Sequence, residues 1–375
     1  MATYNPSMLT ATVPIPMRKP WPYVNVKSFG ADTTGKTEAQ NQINSAIAAL
    51  PAGGGDLIVP RGMYLIEAVN TGVRMKSNMR FVLEDGAVLQ CKTNDSRGYG
   101  VLRANGITDS VIQFGMGSMV IGDRETHIYS EQGNAALNTH EWGHCIQVLG
   151  SQRVSVFDAM AFNGTGDGMV IGAKNIDDDR DDEMCNDIFV RGASLSKNRR
   201  QGISIGRGTH IVIQKSEIFD IGGTGPGAGI DVEPANPRSG TWVTDDIVIE
   251  DCYIHNNQSA DILLFHGAAS IVPITNVMIR RNRLENSNLG VQAIGADEYW
   301  IIGNRITHHN ASGTVLGKLS KNSHFHENTS GFNYLRQGER DRVDFEYTGY
   351  KTGLAKDILI ANGDGPNDIG KNYYI

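Results

Sequence analysis

The sequence predicts an all-β right-handed parallel β-helix, a solenoid, on three observations. Short apolar segments of period two recur from about residue 55 to about residue 330, where helical periodicity is nearly absent. Five segments, beginning at Gly168 (GMVIG), Gly202 (GISIG), Gly229 (GIDVE), Asp261 (DILLF) and Gly290 (GVQAI), superimpose without gaps. Between them a second segment repeats, from DIFVRGASLSKN at Asp187 and HIVIQKSEIFD at His210 to YWIIGNRITHHN at Tyr299. A chain that returns to one register with loops of variable length behaves as a solenoid, not as an antiparallel sandwich.

Residues 1–22 are proline-rich and read as a stiff linker or arm, with no apolar core of a secretory signal. From Tyr23, YVNVKSFGAD is strand-like and turns at Gly30. The run TEAQNQINSAIAAL from Thr37 places Ile43, Ala46 and Ile47 on one helical face, and Gly53 to Gly55 end it, so a short helix should cap the stack. The β-helix is expected over 23–330. Asn198, Asn256 or Asn257, and Asn310 close their segments and suit a partial asparagine ladder. Beyond 330 the repeat dissolves into a stretch with Phe345, Tyr347 and Tyr350, and 331–375 is expected to form a C-terminal cap or oligomer contact.

The net charge of -7 excludes nucleic acid as the main partner, since its binders concentrate positive charge. No apolar run is long enough to span a bilayer, so no membrane partner is expected. The N-terminus fits a virion component released by lysis and a cytoplasmic protein equally. Cys91, Cys145, Cys185 and Cys252 show no C-x-x-C spacing and are expected to be buried thiols without disulfides.

The segment VNVKSFGADTTGKTEAQNQINSAIAAL, followed by GGGDLIVPRGMYLI, resembles the N-terminal signature of the pectate-lyase-type β-helix superfamily. That group includes phage tailspike depolymerases, polygalacturonases and mannuronan epimerases, and the resemblance runs as a fold pattern over roughly 22–330. It implies a polysaccharide partner, a homotrimer of the tailspike kind, and a site on a sheet face or between subunits. The Asp-Pro-His-Glu segment expected of the epimerase and alginate-lyase branch is absent, so no residue of that branch carries over.

Side-chain alternation sorts the five aligned strands by face. Met169, Ile203, Ile230, Ile262 and Val291 form one inward column, and Ile171, Ile205, Val232, Leu264 and Ala293 another. The remaining positions are expected to face outward. They bring Asp231, Glu233 and Asp261 together on adjacent coils, among glycines that leave a trough for a sugar ring. Residues two apart on a strand lie about 7 Å from each other and neighbouring strands about 4.8 Å, so the three can serve as the acid and the base or nucleophile of a glycosidase. Crowded carboxylates should raise one pKa, leaving an acid beside an ionised partner. For substrate binding, the same face offers Ser204, Phe265 as an apolar platform, His266 and Gln292. Lys197, Arg199 and Arg200 precede the Ser204 strand and can bind an acidic sugar, or Lys197 or Arg200 can take the C5 proton in a lyase. The bland reading of the acidic cluster is an ordinary solvated face, and of the basic run a solvated turn.

His140, Glu141 and His144 spell H-E-x-x-H, but Gly143 interrupts it and a strand follows at once, so the zincin pattern is read as coincidence. His144 aligns with Asp167 one coil on, and these two are expected to edge the groove with His140 and Trp142. The run NIDDDRDDEMCND offers Asp178, Asp181 and Glu183 as calcium ligands without the EF-hand spacing, so a solvated acidic loop is preferred and no cofactor is required. The leading expectation is a polysaccharide depolymerase, hydrolase or lyase, on an acidic or bacterial surface glycan. The alternatives are a non-catalytic glycan-binding or structural spike and a uronan C5-epimerase.

Overall fold

A computed structural model of the chain describes residues 21–129, 140–173, 183–234, 244–266, 273–316, 320–331, 358–360 and 367–374. Among these, the chain winds through three parallel sheets, two of twelve strands and one of ten. Successive coils visit the first, second and third sheets in turn, so every strand pairs with its counterpart one coil away. The register matches the sequence alignment residue for residue: Met169 opposes Ile203, which opposes Ile230, then Ile262, then Val291. Both inward columns are fully buried. Each Val, Leu, Ile or Met side chain in them contributes about 1.5–3 kcal/mol of burial, and the stack forms one continuous core.

The capping helix α1 spans Gln40–Ala49 and buries Ile43, Ala46 and Ile47 against that core. It occupies the place of a third-sheet strand in the first coil. Asn44 accepts from Arg74 N at 2.8 Å and donates to Gly72 O at 2.8 Å, satisfying the sheet edge that the helix covers.

Between the first and second sheets the link is two residues long from the strand Gln152–Phe157 to the strand Lys321–His326, and three residues long in the last coil. Its first residue is left-handed in coil after coil: Gly192, Lys215, Asp251, Arg281, Gly303 and Glu327 have φ between 50° and 72°. Non-glycine residues resist that conformation by about 1–2 kcal/mol. Here the N–H groups of Lys215, Asp251, Arg281 and Gly303 each donate to the coil that follows, which stabilises the bend collectively. The last residue of the link points inward, and in the later coils it builds an asparagine ladder. Asn282 accepts from Cys252 N, Asn304 from Asn282 N, Asn328 from Asn304 N, and Asn372 from Asn328 N, at 2.9–3.0 Å.

That ladder is at a different corner from the one expected. Of the residues proposed for it, Asn198 and Asn257 are buried between the second and third sheets, where they accept from Gly164 N and Ile221 N on the preceding coil. Asn256 and Asn310 are exposed and take no such part. The β-helix also runs past residue 330: Ile358–Ile360, Asn367–Ile369 and Tyr373–Tyr374 add one more strand to each of the three sheets. Residues 1–20, and with them nearly all of the proposed arm, lie outside the described residues, as do Phe345, Tyr347 and Tyr350. All four cysteines are buried free thiols, and burial pushes Cys145 and Cys252 up to about 12 and Cys185 to about 11. No helix among the described residues is long and apolar enough to cross a membrane.

Candidate functional site

The outer face of the third sheet holds a pocket of about 270 Å³, lined by Trp142, Asp167, Arg200, Ser204, Asp231 and Glu233 over a floor that includes Gly172 and Gly206. Strand pairing produces this cluster. Ser204 opposes Asp231 on the next coil, and Glu233 follows two residues later on the same face. At Gly172 and Gly206 an added Cβ would meet nothing closer than 3.7 Å, so the floor is open where a side chain would otherwise stand.

Arg200 organises the carboxylates. Its guanidinium lies 3.5 Å from Asp167 and 3.8 Å from Glu233, approaches Ser204 Oγ at 3.4 Å, and sits over the Trp142 ring at 5.1 Å. Burial favours its neutral form, but the charges of Asp167, Asp231, Glu233 and Glu141 overcome this and raise its pKa, so it stays protonated. Asp231 is 1% exposed, and burial pushes its carboxyl well above the usual range; the neighbouring charge of Glu233 adds to this and Arg200 opposes it. Gln201 Nε2 donates to Asp231 Oδ2 at 2.6 Å. Glu141 is also raised, chiefly by burial.

The wall behind Arg200 is held by residues that serve it indirectly. His144 is buried, with Nδ1 3.2 Å from the Asp167 backbone N–H and 3.4 Å from its carboxylate, so the expected one-coil alignment places the two in contact. Arg199 is buried, donates to His140 O at 2.9 Å and stacks over Tyr129 at 5.3 Å. His127 bridges Asp123 and His140, 2.9 Å from each. Together these contacts fix the backbone from which Glu141 and Trp142 extend.

Several expected residues are elsewhere. Asp261 is wholly buried and points into the core, where it meets His309 Nε2 at 2.8 Å, Asn257 Nδ2 at 3.0 Å and the Ser287 hydroxyl. Burial raises its pKa, against those bonds. Strict alternation puts its column outward, but the pairing breaks at this position: Ala260 and Ile262 oppose Leu289 and Val291, while Asp261 between them has no opposite partner. At the equivalent Gly202, Gly229 and Gly290 a Cβ would strike the core residues Ile218, Ile254 and Ile306. Asp261 therefore belongs to the core and leaves the catalytic set. Lys197 is exposed in a left-handed bend, where its carbonyl accepts from Arg124, and Arg199 faces the wall; neither lines the pocket. Phe265, His266 and Gln292 are half-buried on the coils beyond Glu233, with Phe265 packed beside Leu263, and extend the face instead of lining the pocket. Trp142 supplies the exposed aromatic surface there. Asp178 and Asp181 lie outside the described residues, while Glu183 is exposed. Sequence reasoning missed Arg207, whose buried side chain lines the pocket and whose only signal was its place after the Gly206 strand.

Residues 127–306 match the family model described as right handed beta helix region. The protein is a right-handed parallel β-helix. This β-helix superimposes on the mannuronan C-5 epimerase AlgE4 A-module of Azotobacter vinelandii with a TM-score of 0.62 at 15% identity, over 94% of this chain and 97% of that one. The Yersinia enterocolitica family 28 exopolygalacturonase gives 0.62 at 13% identity, over 93% and 70%, and the Dettilon tailspike protein 0.52 at 14%, over 90% and 68%. These likenesses establish the fold. In sequence, the β-helix is 28% identical to the uncharacterized protein YclG of Bacillus subtilis over 66% of this chain. It spans 44% of that relative's length.

Proposed function

We propose that this β-helix hydrolyses a polysaccharide in the pocket on its third sheet. The observation that carries the reading is a buried Asp231, its pKa raised by burial, in one pocket with Glu233 and the Arg200 cation. Asp231 donates its proton to the glycosidic oxygen as the bond to the anomeric carbon breaks. Glu233 or Asp167, each within 4 Å of the Arg200 guanidinium, acts as base toward water or as nucleophile toward that carbon. Trp142 offers a flat apolar surface to a sugar ring, and Arg200 and Arg207 suit an acidic glycan. The carboxylates favour hydrolysis over β-elimination, because Lys197 stands away from the pocket and an arginine whose pKa is raised is a poor base for a C5 proton. The same argument counts against an epimerase that uses either residue as base.

A panel of bacterial capsular and plant acidic polysaccharides, read by size exclusion and by the ultraviolet absorbance of unsaturated ends, tests this. Shortening without new absorbance, lost in Asp231→Asn and Glu233→Gln, is expected. Shortening with absorbance would establish a lyase. Tight binding without shortening would make the protein a glycan-gripping spike.

A further inference from the structure

The last rung of the first sheet brings three metal-ligating side chains together, on a sheet other than the one that bears the pocket. His324 and His326 are two residues apart on the strand Lys321–His326, so both rings leave the same face. Asp368, on the final strand Asn367–Ile369, lies directly opposite His324. Its Oδ2 is 3.4 Å from His324 Nδ1 and 3.1 Å from His326 Nε2, and one ligand atom from each of the three residues fits within 4.8 Å of the others. Ligands about 2.0–2.1 Å from a tetrahedral zinc ion stand about 3.3 Å from one another. Both histidine–aspartate separations already have that value, and the two rings need to close by at most about 1.5 Å to complete the set.

Two further features hold the rings in place. His324 stacks flat on Trp300, with centroids 5.3 Å apart and planes 5° apart, and Trp300 is itself fixed in an apolar patch with Val212, Val248 and Met278. Opposite His326 the chain carries Gly370, where a Cβ would overlap the ring at Nδ1. The missing side chain lets the ring lie across the strand with Nε2 toward Asp368. Asp368 is exposed, which leaves solvent room for a fourth ligand.

We propose that His324, His326 and Asp368 bind a zinc ion that clips the final coil to the one before it. Two imidazoles and one carboxylate suit zinc, whereas calcium and magnesium prefer all-oxygen sets. The clip joins residues 42 positions apart in sequence. A link closing so long a loop removes more chain entropy than a local one. Without metal, Asp368 is a carboxylate between two imidazoles and adds little at an exposed site.

The experiment uses the full chain, tag removed and stripped with chelator, titrated with Zn²⁺ by calorimetry and followed by hydrogen exchange. One equivalent is expected to bind, and with free zinc about 100-fold above Kd, exchange across 367–374 should slow by about 100-fold. Cobalt in place of zinc should give the visible bands of a tetrahedral site. His326→Gln and Asp368→Asn, which keep side-chain shape and should keep the β-sheet circular dichroism, are expected to abolish binding. The proposal is overturned if no saturable 1:1 binding occurs, if both variants bind as the parent does, or if bound zinc leaves exchange across 367–374 unchanged.

Discussion

Replacing Asp231 by Asn should remove activity and increase stability, for the same physical reason. The substitution preserves shape, and the new amide oxygen can still accept from Gln201 Nε2, which now approaches Asp231 at 2.6 Å. What disappears is a carboxyl that burial, and then the charge of Glu233, hold well above its ordinary value. In the unfolded chain that group ionises at the usual value, near pH 4. Between the unfolded and folded values the native state holds one proton more than the unfolded state, so stability falls as pH rises, by about 1.4 kcal/mol per unit, and then levels off. Below about pH 4 the parent and Asp231→Asn should be about equally stable. Toward neutrality the variant should become the more stable, with the gap opening at that slope. Loss of the proton donor should lower kcat/KM by about 10²–10⁴. Guanidinium unfolding at a series of pH values measures the first quantity, and polymer shortening the second. A stability difference that does not change with pH would refute the buried, raised carboxyl, and turnover within tenfold of the parent would refute its catalytic role.

Three other outcomes follow from the geometry. Arg200→Met should lower kcat/KM about 10²-fold by removing the cation among Asp167, Asp231 and Glu233, and Arg200→Lys should recover only part of this because it loses the stack on Trp142; steady-state kinetics decide it. Gly206→Leu should fit sterically, since the nearest atoms to an added Cβ are 3.7 Å away, yet fill the trough and lower kcat/KM at least about tenfold with the melting temperature retained. Asn304→Ala breaks the ladder in its middle, where the side chain donates to Ile279 O and Asn328 Oδ1 and accepts from Asn282. The orphaned buried groups should cost about 3 kcal/mol, read as a lower denaturant midpoint at unchanged m-value.

The repeat and its inward columns were legible in the sequence because strand alternation is strict wherever pairing is regular. It fails where the pairing breaks, as at Asp261, which alternation sets beside Asp231 and which is instead a core group bonded to His309. The contact of His144 with Asp167 was readable from register alone. Arg200 stood out less than its neighbours Lys197 and Arg199, since three nearby basic residues look alike until the backbone turns one outward, one into the wall and one into the pocket. The ladder is not legible in the repeat because Asn282, Asn304 and Asn328 follow the strands of the first sheet, whereas the asparagines that recur at the ends of the second segments precede those of the third. The last coil was missed because Asn367–Ile369 and Tyr373–Tyr374 are short and far in sequence from the strands they join.

The unequal corners of the coil have an evolutionary consequence. From Gln152 to Gly331 the turn between the first and second sheets admits two residues and repeats its left-handed bend, so an inserted or deleted residue there would disturb the register with the neighbouring coils. Where the chain leaves the third sheet the spacing is free: the next strand begins at Cys185 after one that ends at Gly172, but at Gly208 after one that ends at Ile205. Length variation is thereby steered to the margin beside the pocket. Such a lineage can change what it recognises by trading loops while its scaffold is inherited unchanged.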